Sequence, residues 1–143
     1  MKNTGKGAEQ IFDDSWARLG KQAFVFKFSD TAELRGLNKG KSLIARAQPS
    51  DRLLVYKGET YFAEIKSTID PDRFKFSLLR SSQGFAAAAA LAAGGAYYVF
   101  IHNMDQDRWY RLPYEAIQQA KARKAGSLTW AELESYAWSF PLV

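Results

Sequence analysis

Cysteine is absent from this chain of 143 residues. Its absence excludes disulfides, thiolate nucleophiles and cysteine-ligated zinc, and it fits a reducing interior. Histidine occurs once, at His102. No histidine pair is therefore available to hold a metal or to divide the work of a general base and acid. At the end of an expected strand, His102 reads as structural, and nothing around it supports Ser-His-Asp hydrolysis. There is no glycine-rich phosphate loop or nucleotide-binding fingerprint. Long hydrophobic runs are missing too. No apolar run follows the charges of Met1-Lys2-Asn3-Thr4-Gly5-Lys6-Gly7, so no signal peptide is expected. The most apolar stretch, residues 85–93, is far too short to span a bilayer. The expectation is a soluble cytoplasmic protein with no membrane partner.

What is present suits one domain over residues 1–143. Apolar residues make up 47% of the chain, enough for a packed core. Twenty Lys and Arg stand against fifteen Asp and Glu, a net charge of +5. Such a balance suits a polyanionic partner, although many basic proteins never touch nucleic acid.

Hydrophobic spacing predicts a helix over 8–19, with Ile11, Phe12, Trp16 and Leu19 on one face and Gly20 as its stop. A strand follows over 23–28. Residues 29–49 carry Arg35, Lys39, Lys41 and Arg46 with few large apolar residues, and read as a long basic connection or protruding hairpin. Strands over 51–57 and 60–67 are joined by Gly58-Glu59, a hairpin signal. Residues 69–76 read as irregular. The alanine-rich segment 82–93 predicts a helix ended by Gly94-Gly95, and 96–103 a buried strand. The strand, helix, strand order implies a parallel crossover. A short strand over 108–112, a helix from Pro113 to about residue 125, and a last short helix capped by Thr129 and Glu132 complete an α/β chain. The expected fold is a mixed central sheet flanked by helices.

Chemistry concentrates in Pro49-Ser50-Asp51 and, after twelve intervening residues, Glu64-Ile65-Lys66. A two-residue turn at Gly58-Glu59 pairs Lys57 with Thr60, so Leu53 faces Glu64 and Asp51 faces Lys66. Residues two apart on a strand share a face. Asp51, Glu64 and Lys66 then project from one side of the hairpin, at the end of a face otherwise made of Leu53, Val55 and Phe62. Burying unpartnered charge is costly, and two clustered carboxylates suit a divalent cation such as Mg²⁺, which prefers oxygen ligands. Held by Asp51, Glu64 and the Ile65 carbonyl, such an ion would polarise a phosphodiester and acidify a bound water. Lys66 would orient that water or stabilise developing charge. The alternative is an ordinary Asp–Lys cross-strand pair beside an exposed Glu. Glu9 and Asp13, four apart on the first helix, share a face. Glu9 can add a third carboxylate, whereas Asp13 reads as part of a solvated acidic face. Gln83, at the start of the alanine-rich helix, can hold a water or phosphate, or simply reflect helix-end polarity.

The Pro-Ser-Asp, spacer, Glu-Ile-Lys pattern resembles the PD-(D/E)XK nuclease superfamily. More of the chain resembles the RecU group of Holliday junction resolvases, including phage-encoded relatives. The matching features are Gly7-Ala8-Glu9, Tyr56-Lys57-Gly58, Glu64-Ile65-Lys66-Ser67-Thr68, Phe76-Ser77-Leu78, Gln83, Gly94-Gly95, Trp109-Tyr110-Arg111-Leu112-Pro113, and Ser127-Leu128-Thr129 with Glu132-Leu133. Ser82 departs from the histidine common in that group. The resemblance implies a homodimeric endonuclease that cuts four-way DNA junctions with paired symmetrical nicks, using Mg²⁺ or Mn²⁺. It implies catalytic positions at Glu9, Asp51, Glu64 and Lys66, with Gln83 as the helix glutamine. The 29–49 segment would be a stalk whose basic residues contact phosphates or splayed strands. Two rivals remain: a superfamily nuclease acting on flaps, ends or duplex, and an inactive DNA-binding module.

Overall fold

The computed structural model describes residues 6–28 and 48–142. The basic connection with Arg35, Lys39, Lys41 and Arg46 lies outside the described residues. Helix α1 (Lys6–Ala17) packs its apolar stripe through Phe12 and Trp16, both buried. It leads into β1 (Ala23–Lys27), then β2 (Arg52–Tyr56) and β3 (Glu59–Thr68). These pair antiparallel in succession.

The hairpin between β2 and β3 turns one residue earlier than the sequence spacing implied. Lys57 and Gly58, not Gly58 and Glu59, form the turn, and Tyr56 pairs with Glu59. Both turn residues have positive φ, +50° and +80°, as a type I′ turn requires at its two central positions. Asp51 therefore comes opposite Glu64 rather than Lys66. A shift of two in pairing leaves every side chain on its original face, because the strand repeat is two.

After β3 the chain forms β4 (Arg73–Lys75) and a 3₁₀ turn over Phe76–Leu78, in the segment expected to be irregular. Helix α2 (Ser81–Ala92) follows, closed by Gly94 at φ +89° with the Gly95 amide returning to the Ala90 carbonyl at 2.8 Å. Only glycine adopts that conformation at little cost. Strand β5 (Tyr97–Asn103) then runs parallel to β3, the crossover expected from the strand, helix, strand order. It is the most continuously buried strand, covered on both faces.

Strand β6 (Arg108–Pro113), helix α3 (Tyr114–Ala122), strand β7 (Ser127–Thr129), helix α4 (Trp130–Leu133) and strand β8 (Ala137–Trp138) complete the described chain. Helix α3 ends three residues sooner than expected. At α4 the Thr129 hydroxyl accepts from the Glu132 amide, and the Glu132 carboxylate accepts from the Thr129 amide, which is the reciprocal cap read from the sequence.

The main sheet has six strands in the order β1-β2-β3-β5-β6-β8, and β4 pairs with β7 in a small second sheet. Phe12, Trp16, Leu54, Tyr61, Ala63, Ile65 and Phe100 form the core beneath α1. On the other face Val99, Ile101, Tyr110 and Leu112 pack with Phe74, Phe76, Ala87 and Ile117. Alternation along β3 sends Tyr61, Ala63 and Ile65 to the α1 side. Phe62, Glu64 and Lys66 consequently belong to the side bearing α2 and α3. Among the described residues no helix is long and apolar enough to cross a membrane.

Candidate active site

Residues Pro49 to Asp51 lead into β2 beside the middle of β3, and each is fixed there by a specific hydrogen bond. The Tyr97 hydroxyl donates to the Pro49 carbonyl at 2.6 Å. The Ser50 hydroxyl donates to the Arg52 carbonyl at 2.7 Å. The Asp51 amide donates to Glu64 Oε1 at 2.9 Å, and Asp51 Oδ2 accepts from the Ile65 amide at 2.9 Å. The Asp51 carbonyl accepts from the Phe28 amide at 3.2 Å and from Arg52 Nη1 at 3.0 Å. The two carboxylates are thus fixed by backbone amides, Glu64 by that of Asp51 and Asp51 by that of Ile65, rather than by a cross-strand Asp–Lys pair.

Glu64 is fully buried, at 0% exposure. One of its oxygens takes the Asp51 amide. The other, Oε2, receives no hydrogen bond, and Lys66 Nζ stands 3.4 Å away as an ion-pair partner without donating in line. Burial first, and then the Asp51 charge, push the Glu64 carboxyl up to about 8, with Lys66 opposing. The same surroundings raise the Tyr97 phenol, through burial and then through Glu64 and Asp51. A buried carboxylate with one unserved oxygen, beside a second carboxylate, is a site short of positive charge.

Glu9 sits elsewhere. Its Oε1 lies 3.1 Å from Arg52 Nη1, and Asp13 takes the same guanidinium in a two-pronged contact, Nε to Oδ1 at 2.9 Å and Nη2 to Oδ2 at 2.8 Å. Arg52 points to the α1 side and is 2% exposed. Glu9 therefore reaches the Asp51 backbone only through Arg52. Among the described residues, no three His, Asp or Glu side chains are gathered as a metal cage. Asp13 is not a solvated bystander; it is the principal partner of a buried arginine. Gln83 spends its side-chain oxygen on the Arg80 amide at 2.9 Å, capping α2, which is the helix-end role. His102 stacks on Trp109 with ring centroids 4.7 Å apart and contacts Asp107 at 2.8 Å. It lies on the face opposite Glu64.

Arg52 and Tyr97 escaped the sequence reading. Arg52 left a trace: a charge sharing the core-facing side of β2 with Leu54 demands buried acids. Tyr97 left none, since its partner is a backbone carbonyl 48 residues away.

The sequence matches no protein-family model and no curated protein. Among solved structures, the chain is similar to a Holliday junction resolvase, Hjc, from the hyperthermophilic archaeon Archaeoglobus fulgidus. The identity is 11% and the TM-score 0.53, over 90% of this chain and 88% of that one. The mixed sheet flanked by helices is thus the fold shared with that resolvase.

Proposed function

We propose that the protein is a metal-dependent DNA endonuclease that resolves Holliday junctions by paired symmetrical nicks. The observation that carries this reading is the contact of Asp51 with Glu64, with Lys66 beside them, on a sheet that shares the resolvase fold. The resemblance of the surrounding motifs to RecU-type resolvases supports it further.

The donor set suits Mg²⁺ or Mn²⁺. Asp51 and Glu64 offer hard oxygens, and the unserved Glu64 Oε2 is the atom that most needs a cation. Asp51, Glu64 and the Ile65 carbonyl would hold the ion, with Glu9 joining if it releases Arg52. Once bound, the ion supplies Lewis acidity toward the scissile phosphate and an acidified water. The remaining work falls to the chain. Tyr97 and Arg52 hold the Asp51 segment in register from opposite sides of the sheet. Lys66, 21% exposed along its side chain, presents its ammonium where it can orient the attacking water or meet charge developing on the phosphate. Burial of Glu64 keeps bulk water from competing for its oxygens.

A cleavage assay tests the proposal, with labelled four-way junctions and linear duplex compared in Mg²⁺, in Mn²⁺ and in EDTA. Junctions are cut and duplex is spared. Asp51→Asn and Glu64→Gln each lower the rate on the order of 10²-fold or more, while junction binding in Ca²⁺ survives. Equal cutting of both substrates would replace the resolvase reading with a less selective nuclease. No cutting with either metal would leave a DNA-binding module.

A further inference from the structure

The layer that covers the Glu64 face of the sheet carries a second charged surface. Strand β4 carries Arg73 and Lys75, and it pairs with β7 so that Lys75 lies opposite Ser127 and Arg73 opposite Thr129. Strand β7 follows the end of α3 after a short connection, and that end carries Lys121, Arg123 and Lys124. The pairing therefore brings five cations from distant parts of the sequence onto one surface, and all five are exposed.

Their contacts confirm the proximity. Lys121 Nζ lies 6.0 Å above the ring of Phe76, the neighbour of Lys75. The Phe76 amide donates to the Gly126 carbonyl at 3.0 Å. Arg73 Nη1 donates to the Ser127 hydroxyl at 3.5 Å, across the same pairing.

The acids of this region offset this group only in part. Lys75 reaches Asp70 at 3.8 Å. Arg73, Lys121, Arg123 and Lys124 have no acid within 4 Å among the described residues. Three acids stand near these five cations: Asp70, which accepts the amides of Asp72 and Arg73, exposed Asp72, and Glu132, which caps α4. The negative end of the α3 dipole accounts for a cation or two in its last turn. It does not account for Arg73 and Lys75, which repel those cations from a neighbouring strand. A surface that gathers more cations than acids is suited to a polyanion.

Phe74 and Phe76, which flank Lys75, pack with Val99 and Ile101 on the sheet face that carries Glu64 and Lys66. The patch thus shares a side of the molecule with the candidate site. We propose that Arg73, Lys75, Lys121, Arg123 and Lys124 form a nucleic-acid contact, gripping the phosphate backbone of a duplex arm while the scissile strand lies at Asp51 and Glu64. The inference rests on the nuclease reading. Exposed, flexible cations contact phosphates without reading bases, so this surface supplies affinity and orientation, not sequence preference.

The test is anisotropy of a fluorescent junction and a fluorescent duplex in Ca²⁺, between about 50 and 200 mM salt. Lys121→Ala/Arg123→Ala/Lys124→Ala is compared with wild type, and Arg73→Ala/Lys75→Ala serves as a second variant on a different element. Loss of three phosphate contacts makes the log–log salt slope shallower by about 2.7, and loss of two by about 1.8. Affinity falls about tenfold or more at the low-salt end. The melting temperature, read in parallel, stays put because the side chains are exposed. Wild type that binds DNA beside two variants with unchanged slopes overturns the patch and leaves the nuclease reading standing. Wild type that binds neither DNA overturns both.

Discussion

A carboxylate shut away from water pays for its charge unless a cation compensates it. Glu64 has Lys66 at 3.4 Å for that purpose, and Asp51 against it. The balance favours the protonated acid, at about 8 against an ordinary 4.5. The sign for stability follows by linkage. Because the folded value is raised, the contribution of Glu64 is fully present below about 4.5 and is lost as pH climbs from there through about 8. Metal-free protein in EDTA should therefore melt at progressively lower temperature as pH rises across that window, and Glu64→Gln should flatten the slope. Parallel slopes in the two proteins would remove Glu64 as the cause. At this scale the sequence was readable in one respect and opaque in another. Strand alternation put Asp51, Glu64 and Lys66 on a common face, and that survived a misplaced turn because faces are unchanged by a shift of two. The partners that hold Asp51 were not readable. Tyr97 acts on a carbonyl, which any residue possesses.

Between elements, the telling contact is the clamp of α1 on β2. Arg52 is nearly fully buried, and its guanidinium serves Glu9, Asp13 and the Asp51 carbonyl together. Removing one member of such a group strands the others, at a cost of about 3 kcal/mol. Arg52→Ala should accordingly lower the melting temperature by on the order of 10 °C in a thermal melt. Asp13→Asn, which retains a hydrogen-bonding partner, should cost less; equal losses would mean that packing of the arginine stem, not its charge, is what matters. The longer elements were legible because their signals are local. Alanine density marks α2, Gly94 its end, and Thr129 with Glu132 the start of α4. Strands β4 and β7 were hidden because three residues are too few to display alternation, and each exists only by pairing with the other across more than fifty residues. The β2–β3 turn was misplaced for a related reason: Gly58 fits either of two registers, and the choice fell to Lys57 accepting a positive φ.

For the molecule as a whole, the proposed reaction makes a demand that one chain does not meet. Resolution requires two nicks, symmetrically placed, and the described residues hold a single Asp51–Glu64 pair. Two copies related by a two-fold axis are the simplest arrangement that matches a two-fold substrate, since a C2 interface closes on itself. The consequence is measurable without locating the interface. Wild type is mixed and equilibrated with an excess of Asp51→Asn, so that most active chains have an inactive partner, and products are followed on a junction whose two cut strands carry different labels. Paired action by two copies predicts that junctions nicked on one strand accumulate and resolved duplexes decline more steeply than the wild-type fraction. If each chain instead works alone, the excess of inactive chains slows every product in the same proportion. That outcome would sink the dimer while leaving the Asp51–Glu64 chemistry intact, because the first nick still depends on the carboxylates of a single chain.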